Sequence, residues 1–85
     1  MKTFEDLVMK PHLIGNGVMS RISFSNGYGV SVVMFNGSYG YEDGLFELAI
    51  LKGDDICYST GITSDVIGYL SPNDVSDIMR RVQLL

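Results

Sequence analysis

Eighty-five residues, 46% of them hydrophobic and 19% charged, make a chain that packs into one small domain and not a disordered tail. Ten acidic against six basic residues leave a net charge of −4, which works against nucleic acid as a partner because phosphate contacts need clustered Lys and Arg. The single cysteine excludes an internal disulfide, and no apolar run approaches the length of about 18 residues that a membrane span requires, so a cytoplasmic protein without membrane contact is expected.

Residues Thr3 to Met9 form at most one helical turn, ended by Pro11. From Val18 to Phe24 the sequence VMSRISF alternates, with Val18, Ile22 and Phe24 on one side, and reads as a strand. Asn26-Gly27 then supplies a tight hairpin turn into the β-branched run Gly29 to Phe35. A two-residue turn would set Val18 opposite Phe35 and Ile22 opposite Ser31. Met19 and Met34 would then share a face, and the second strand would be apolar on both sides.

The stretch NGSYGYEDG, Asn36 to Gly44, holds three glycines, two tyrosines and an adjacent Glu-Asp pair. It is longer than a hairpin needs, and long loops in small domains carry function or move. LFELAIL, Leu45 to Leu51, reads as a third strand. Lys52 to Asp55 turns into a short fourth strand, Ile56 to Ser59. Thr60 to Asp65 is a loop, and a single helical turn from Asp65 to Tyr69 follows it.

At the C-terminus the period changes. Ser71-Pro72-Asn73-Asp74 places a hydroxyl at the N-cap, proline at the first helical position and a carboxylate at the third, after which Val75, Ile78, Met79 and Val82 recur at helical spacing. The fold class that follows is α+β, an antiparallel meander of about four strands with the C-terminal helix packed on one face.

His12 and Cys57 are the only histidine and cysteine, so a nucleophilic pair would need these two together. Cys57 falls inside a predicted strand, where a small buried thiol is the ordinary occupant. Two such ligands are too few for a structural zinc site, and none of the carboxylates falls in a calcium-loop register. The stretches GNG, NGYG, NGSYG and GDD carry no phosphate-loop Lys-Ser/Thr, so no nucleotide cofactor is implied. No catalytic residue, metal or cofactor is therefore assigned, and enzymatic activity is not expected.

Tyrosine offers a large contact area and a hydroxyl at low entropic cost, which suits recognition. Tyr39 and Tyr41 are the candidate anchors for a protein partner, Glu42 and Asp43 its polar rim, and Met19 and Met34 a second contact surface. Exposed, these residues mark a partner site. Covered, they form a second core layer. The same reading admits a homodimer formed through a sheet edge or the second apolar face.

The run of NGYGVSV, GSYGYEDGLFELAIL, ICY and ITSDVIGYL resembles small proteins of unknown function encoded by bacteriophages, over Asn26 to Val82. The resemblance implies a phage accessory protein in the cytoplasm of a bacterial host, acting by binding a host or phage protein and inhibiting, for example, a host defence factor. The alternative expectation is a binder or sponge for a nucleotide-like signal, with a pocket between residues 37 to 44 and the segment Thr60 to Asp65.

Overall fold

The computed structural model describes residues 1–12, 16–63 and 65–85. Strands β1 (Lys10–Pro11), β2 (Val18–Ser23), β3 (Tyr28–Met34), β4 (Phe46–Lys52), β5 (Asp55–Ile56) and β6 (Ile67–Leu70) form one antiparallel sheet, followed by helix α1 (Pro72–Gln83). Neighbours in sequence are neighbours in the sheet from β1 to β5. β6 returns to pair with β4 on the side that β5 also uses. The domain is thus α+β, a five-strand meander with β6 added beside β4, where about four strands were expected. The two extra strands, β1 and β6, are short, and β6 meets a strand that is not its neighbour in sequence.

The faces of the sheet differ. Val30, Val32, Leu48 and Ile50 alternate along β3 and β4 onto one side, where α1 delivers Val75, Ile78, Met79 and Val82. These side chains are almost wholly buried and form the single core. Phe4 closes its margin, meeting Phe46 edge-on with ring centroids 5.1 Å apart. Its 3₁₀ turn, Phe4–Asp6, is fastened to the helix by the Phe4 N–H donating to Ser76 Oγ at 3.0 Å.

The helix begins as its sequence dictates. Ser71 Oγ accepts from the Asp74 N–H at 3.1 Å, and the Asp74 carboxylate accepts from the Ser71 N–H at 3.0 Å, which satisfies two donors that a helix start otherwise leaves open. Those bonds hold the Asp74 carboxyl below its ordinary pKa. At the other end, Arg80 and Arg81 lie in the last turn, where positive charge complements the helix dipole.

The β2–β3 turn differs from the two-residue expectation. The Gly27 N–H bonds the Phe24 carbonyl, Gly27 takes φ +87°, and the Phe24 N–H bonds the Tyr28 carbonyl at 2.7 Å, so the loop holds three residues. Asn26 decides this. Its Nδ2 donates to the Val82 and Leu85 carbonyls at the end of α1 (3.0 and 3.3 Å), while its Oδ1 accepts from the Tyr28 N–H. Those long-range bonds fix the turn in a form that leaves Asn26 itself outside the left-handed region.

The extra loop residue shifts the register by one and turns the whole of β3 over relative to the expected pairing. Val18 now opposes Met34, and Met19 opposes Val33. Met19 and Met34 therefore lie on opposite faces, contrary to the sequence expectation. Met34 packs against the core, and Met19 is half-buried on the face that α1 does not cover.

Two further expectations change. The fourth strand shrinks to Asp55–Ile56, with Cys57 beyond it still donating its N–H to the Ile50 carbonyl at 2.7 Å. The segment expected as a helical turn from Asp65 to Tyr69 is instead β6, because Phe46 and Leu48 on β4 offer a sheet edge next to the core. Ser64, within the expected loop Thr60 to Asp65, and Gly15, within GNG, lie outside the described residues.

Candidate functional site

Residues 36–44 fold into a compact corner against β6. The Phe35 N–H donates to Ser38 Oγ (3.0 Å), Ser38 Oγ donates to the Phe35 carbonyl (2.8 Å), and the Ser38 N–H reaches the same carbonyl (2.9 Å). Buried Ser38 thereby closes the loop base. Beyond it a 3₁₀ turn, Tyr41–Asp43, is framed by Gly40 and Gly44, both with positive φ. The Leu45 N–H returns to the Gly40 carbonyl at 2.9 Å and leads the chain into β4.

Tyr39 is held by its main chain and not by its ring. Its N–H donates to Glu47 Oε1 at 3.2 Å, and its carbonyl accepts from the Tyr69 N–H at 3.2 Å. The residue is thus clamped between β4 and β6 while remaining 59% exposed.

The partner segment of β6 is irregular at the same place. Phe46 opposes Leu70 and Leu48 opposes Ile67, so Gly68 and Tyr69 together face Glu47 alone. This is a β-bulge, a device that re-aims side chains. Tyr69 occupies it with φ +58°, the one described non-glycine residue in the left-handed region, a conformation that costs a side-chain-bearing residue about 1–2 kcal/mol. The residue is 61% exposed. The strain therefore yields no burial of the ring.

Glycine is required where the two segments touch. A Cβ on Gly40 would come within 2.9 Å of the Tyr69 Cα, and one on Gly68 would collide with the Tyr39 Cβ. The corner thus presents Tyr39 and Tyr69 outward from two backbones in close contact, with half-buried Tyr41 and exposed Glu42 and Asp43 beside them. Residues 36–43 and Tyr69 line a mainly polar cleft of about 320 Å³. Among the described residues the one ion pair joins Arg80 to Asp77 at 2.8 Å, so the Glu42 and Asp43 carboxylates are not neutralised by a cation.

Of the expected site residues, Tyr39, Tyr41, Glu42 and Asp43 are brought together here. Met19 and Met34 are not part of this corner, and neither are the described residues of the segment Thr60 to Asp65 that was expected to complete a pocket. Tyr69 is the residue that sequence reading missed. Its signal was the Gly68-Tyr69 pair in an apolar run, which reads equally as an interrupted helical turn.

The remaining chemistry is dispersed. His12 follows β1 and stacks on Phe35 with ring centroids 4.0 Å apart, whereas Cys57 follows β5 at the opposite edge of the sheet. The backbone and hydroxyl of Ser59 hold the Cys57 thiol below its ordinary pKa, with Lys52 adding a smaller effect in the same direction. The described residues contain no cluster of three metal-ligating side chains, and no described helix is long and apolar enough to cross a membrane. No family model, curated protein or solved structure matches the chain.

Proposed function

We propose that this domain is a non-enzymatic protein-binding module that captures its partner with the corner formed by residues 36–44 and β6. One observation carries the reading: Tyr69 stays in a strained left-handed conformation while its side chain remains mostly in solvent, so the strain is not offset by burial of the ring. Strain retained without burial is a feature of recognition sites, and aromatic anchors of low entropy dominate interface energetics. Uncompensated Glu42 and Asp43 make the fitting partner a basic surface, in keeping with the domain's net charge of −4.

The likeness in pattern to small phage proteins directs the search to host and phage proteins, host defence factors among them, with inhibition as the consequence of binding. Immobilised wild-type chain and a Tyr39→Ala/Tyr69→Asn variant, exposed to infected bacterial lysate and read by mass spectrometry, test this. A basic protein retained by the wild type and lost from the variant supports the reading. Identical retention by both refutes it. Asn is chosen at position 69 because it tolerates the left-handed region.

The cleft favours a second reading weakly enough to serve as the contrast. Its volume of about 320 Å³ lies at the lower end of small-molecule sites, which are mostly apolar, whereas this one is mainly polar. A nucleotide-like ligand at about 100 times its dissociation constant would add about 2.7 kcal/mol of stability, readable as a thermal shift. A shift with a nucleotide that Tyr69→Asn abolishes would move the assignment from protein partner to ligand.

A further inference from the structure

The face of the sheet opposite α1 carries a pattern that the partner-binding corner does not explain. The pairings Lys10↔Met19, Met19↔Val33 and Val33↔Glu47 place these four residues in one row across β1 to β4. The row is positive at one end, apolar in the middle and negative at the other. The next row, Arg21, Ser31 and Ala49, is small beyond its arginine, and Arg21 Nη2 is directed to the Asp54 carbonyl at 3.4 Å. Two large apolar side chains stay in solvent at the margins: Val8, two residues before Lys10, is 69% exposed, and Ile56, which opposes Leu51, is 47% exposed. Helix α1 and the Phe4–Asp6 turn pack on the other face.

We infer that this face is the interface of a reversible homodimer, two copies stacking sheet on sheet about a two-fold axis parallel to the strands and passing between β2 and β3. Such an axis exchanges the ends of the row. Lys10 of one copy then lies over Glu47 of the other, twice by symmetry, and Met19 lies over Val33. A two-fold axis across the strands would instead oppose Lys10 to Lys10 and Glu47 to Glu47, and like-charge opposition selects against it. Aligned sheets pack about 10 Å apart, a spacing that side chains of the size of Met and Val fill. With strands about 4.8 Å apart and about 3.3 Å per residue, the face spans roughly 20 by 20 Å, so a pair covers roughly 800 Å² in projection, the low end of specific interfaces and the mark of a weak dimer.

Sedimentation equilibrium of the full chain from about 10 μM to about 1 mM tests this, a range that spans weak association. The wild type is expected to pass from monomer to dimer. Lys10→Glu, on an exposed residue, should weaken association about tenfold or more, as opposed charges become like charges. Val33→Asp should abolish association with the circular dichroism spectrum retained. The double reversal Lys10→Glu/Glu47→Lys should restore association to near the wild-type level. Glu47 also accepts from the Tyr39 N–H, so Glu47→Lys alone is not the deciding variant. A chain monomeric at every concentration overturns the inference, as does a dimer indifferent to both Lys10→Glu and Val33→Asp. Tyr39→Ala leaves this face intact, so loss of partner capture and loss of dimer are separable.

Discussion

The layer between the sheet and α1 and the corner formed by residues 36–44 with β6 are built on opposite principles. In the first, Val30, Val32, Leu48, Val75, Met79 and Val82 have no exposed surface, and regular alternation on the strands meets helical spacing on α1. In the second, two segments are pressed together through glycines, one tyrosine is held in a strained conformation, and two aromatic rings remain in water. A domain of this size has about 4 to 13 kcal/mol of net stability, so it tolerates such a corner only because the layer beside it is complete.

The contrast breaks most readily in the core. Leu48→Ala should cost about 2–5 kcal/mol, measured by urea denaturation, because the side chain has no exposed surface and its removal leaves a cavity between β4 and α1. A cost near zero would mean that the layer is loosely packed and that the two regions differ less than argued.

Gly68→Ala comes next. The added methyl meets the Tyr39 Cβ, so β6 and the loop must separate, at about 1–3 kcal/mol, with partner capture lost together with stability. Ser71→Ala, which removes the cap of α1, should lower stability by about 1 kcal/mol and leave capture unchanged, which separates a general loss of stability from a loss of the corner.

A smaller effect is expected from pH. The Asp74 carboxyl is held below its ordinary pKa by its bonds to Ser71, so its contribution is fully present above the unfolded value of about 3.9 and is lost as pH falls through the lower folded value. Denaturation of the wild type and of Asp74→Asn should therefore give stabilities that differ at neutral pH and converge on acidification. A gap that stays constant as the pH is lowered through the acid range would place the effect of Asp74 outside its charge.

What could be read from the sequence divides along the same line. Strands β2 to β4 and helix α1 follow from alternation, from helical spacing and from the Ser71-Pro72-Asn73-Asp74 start, all of which are local signals. The turn at Asn26-Gly27 was visible as a turn, but its length was set by Asn26 reaching the Val82 and Leu85 carbonyls, a contact between residues far apart in the chain. β6 was misread for a related reason. VIGYL is a short apolar run without period, and only the exposed edge of β4 makes it a strand. The loop tyrosines were legible because an oversized loop draws attention. Tyr69 joined them through a bulge that no local pattern encodes.

The claim that the tyrosine corner stands outside the folding core is tested most directly by the melting temperature of the Tyr39→Ala/Tyr69→Asn variant relative to the wild type. Both rings are mostly in solvent and the Asn relieves the left-handed strain, so the midpoint should stay within about 4 °C of the wild type or rise above it. A fall of about 10 °C or more would contradict the account, because it would show these tyrosines to be structural members of the core.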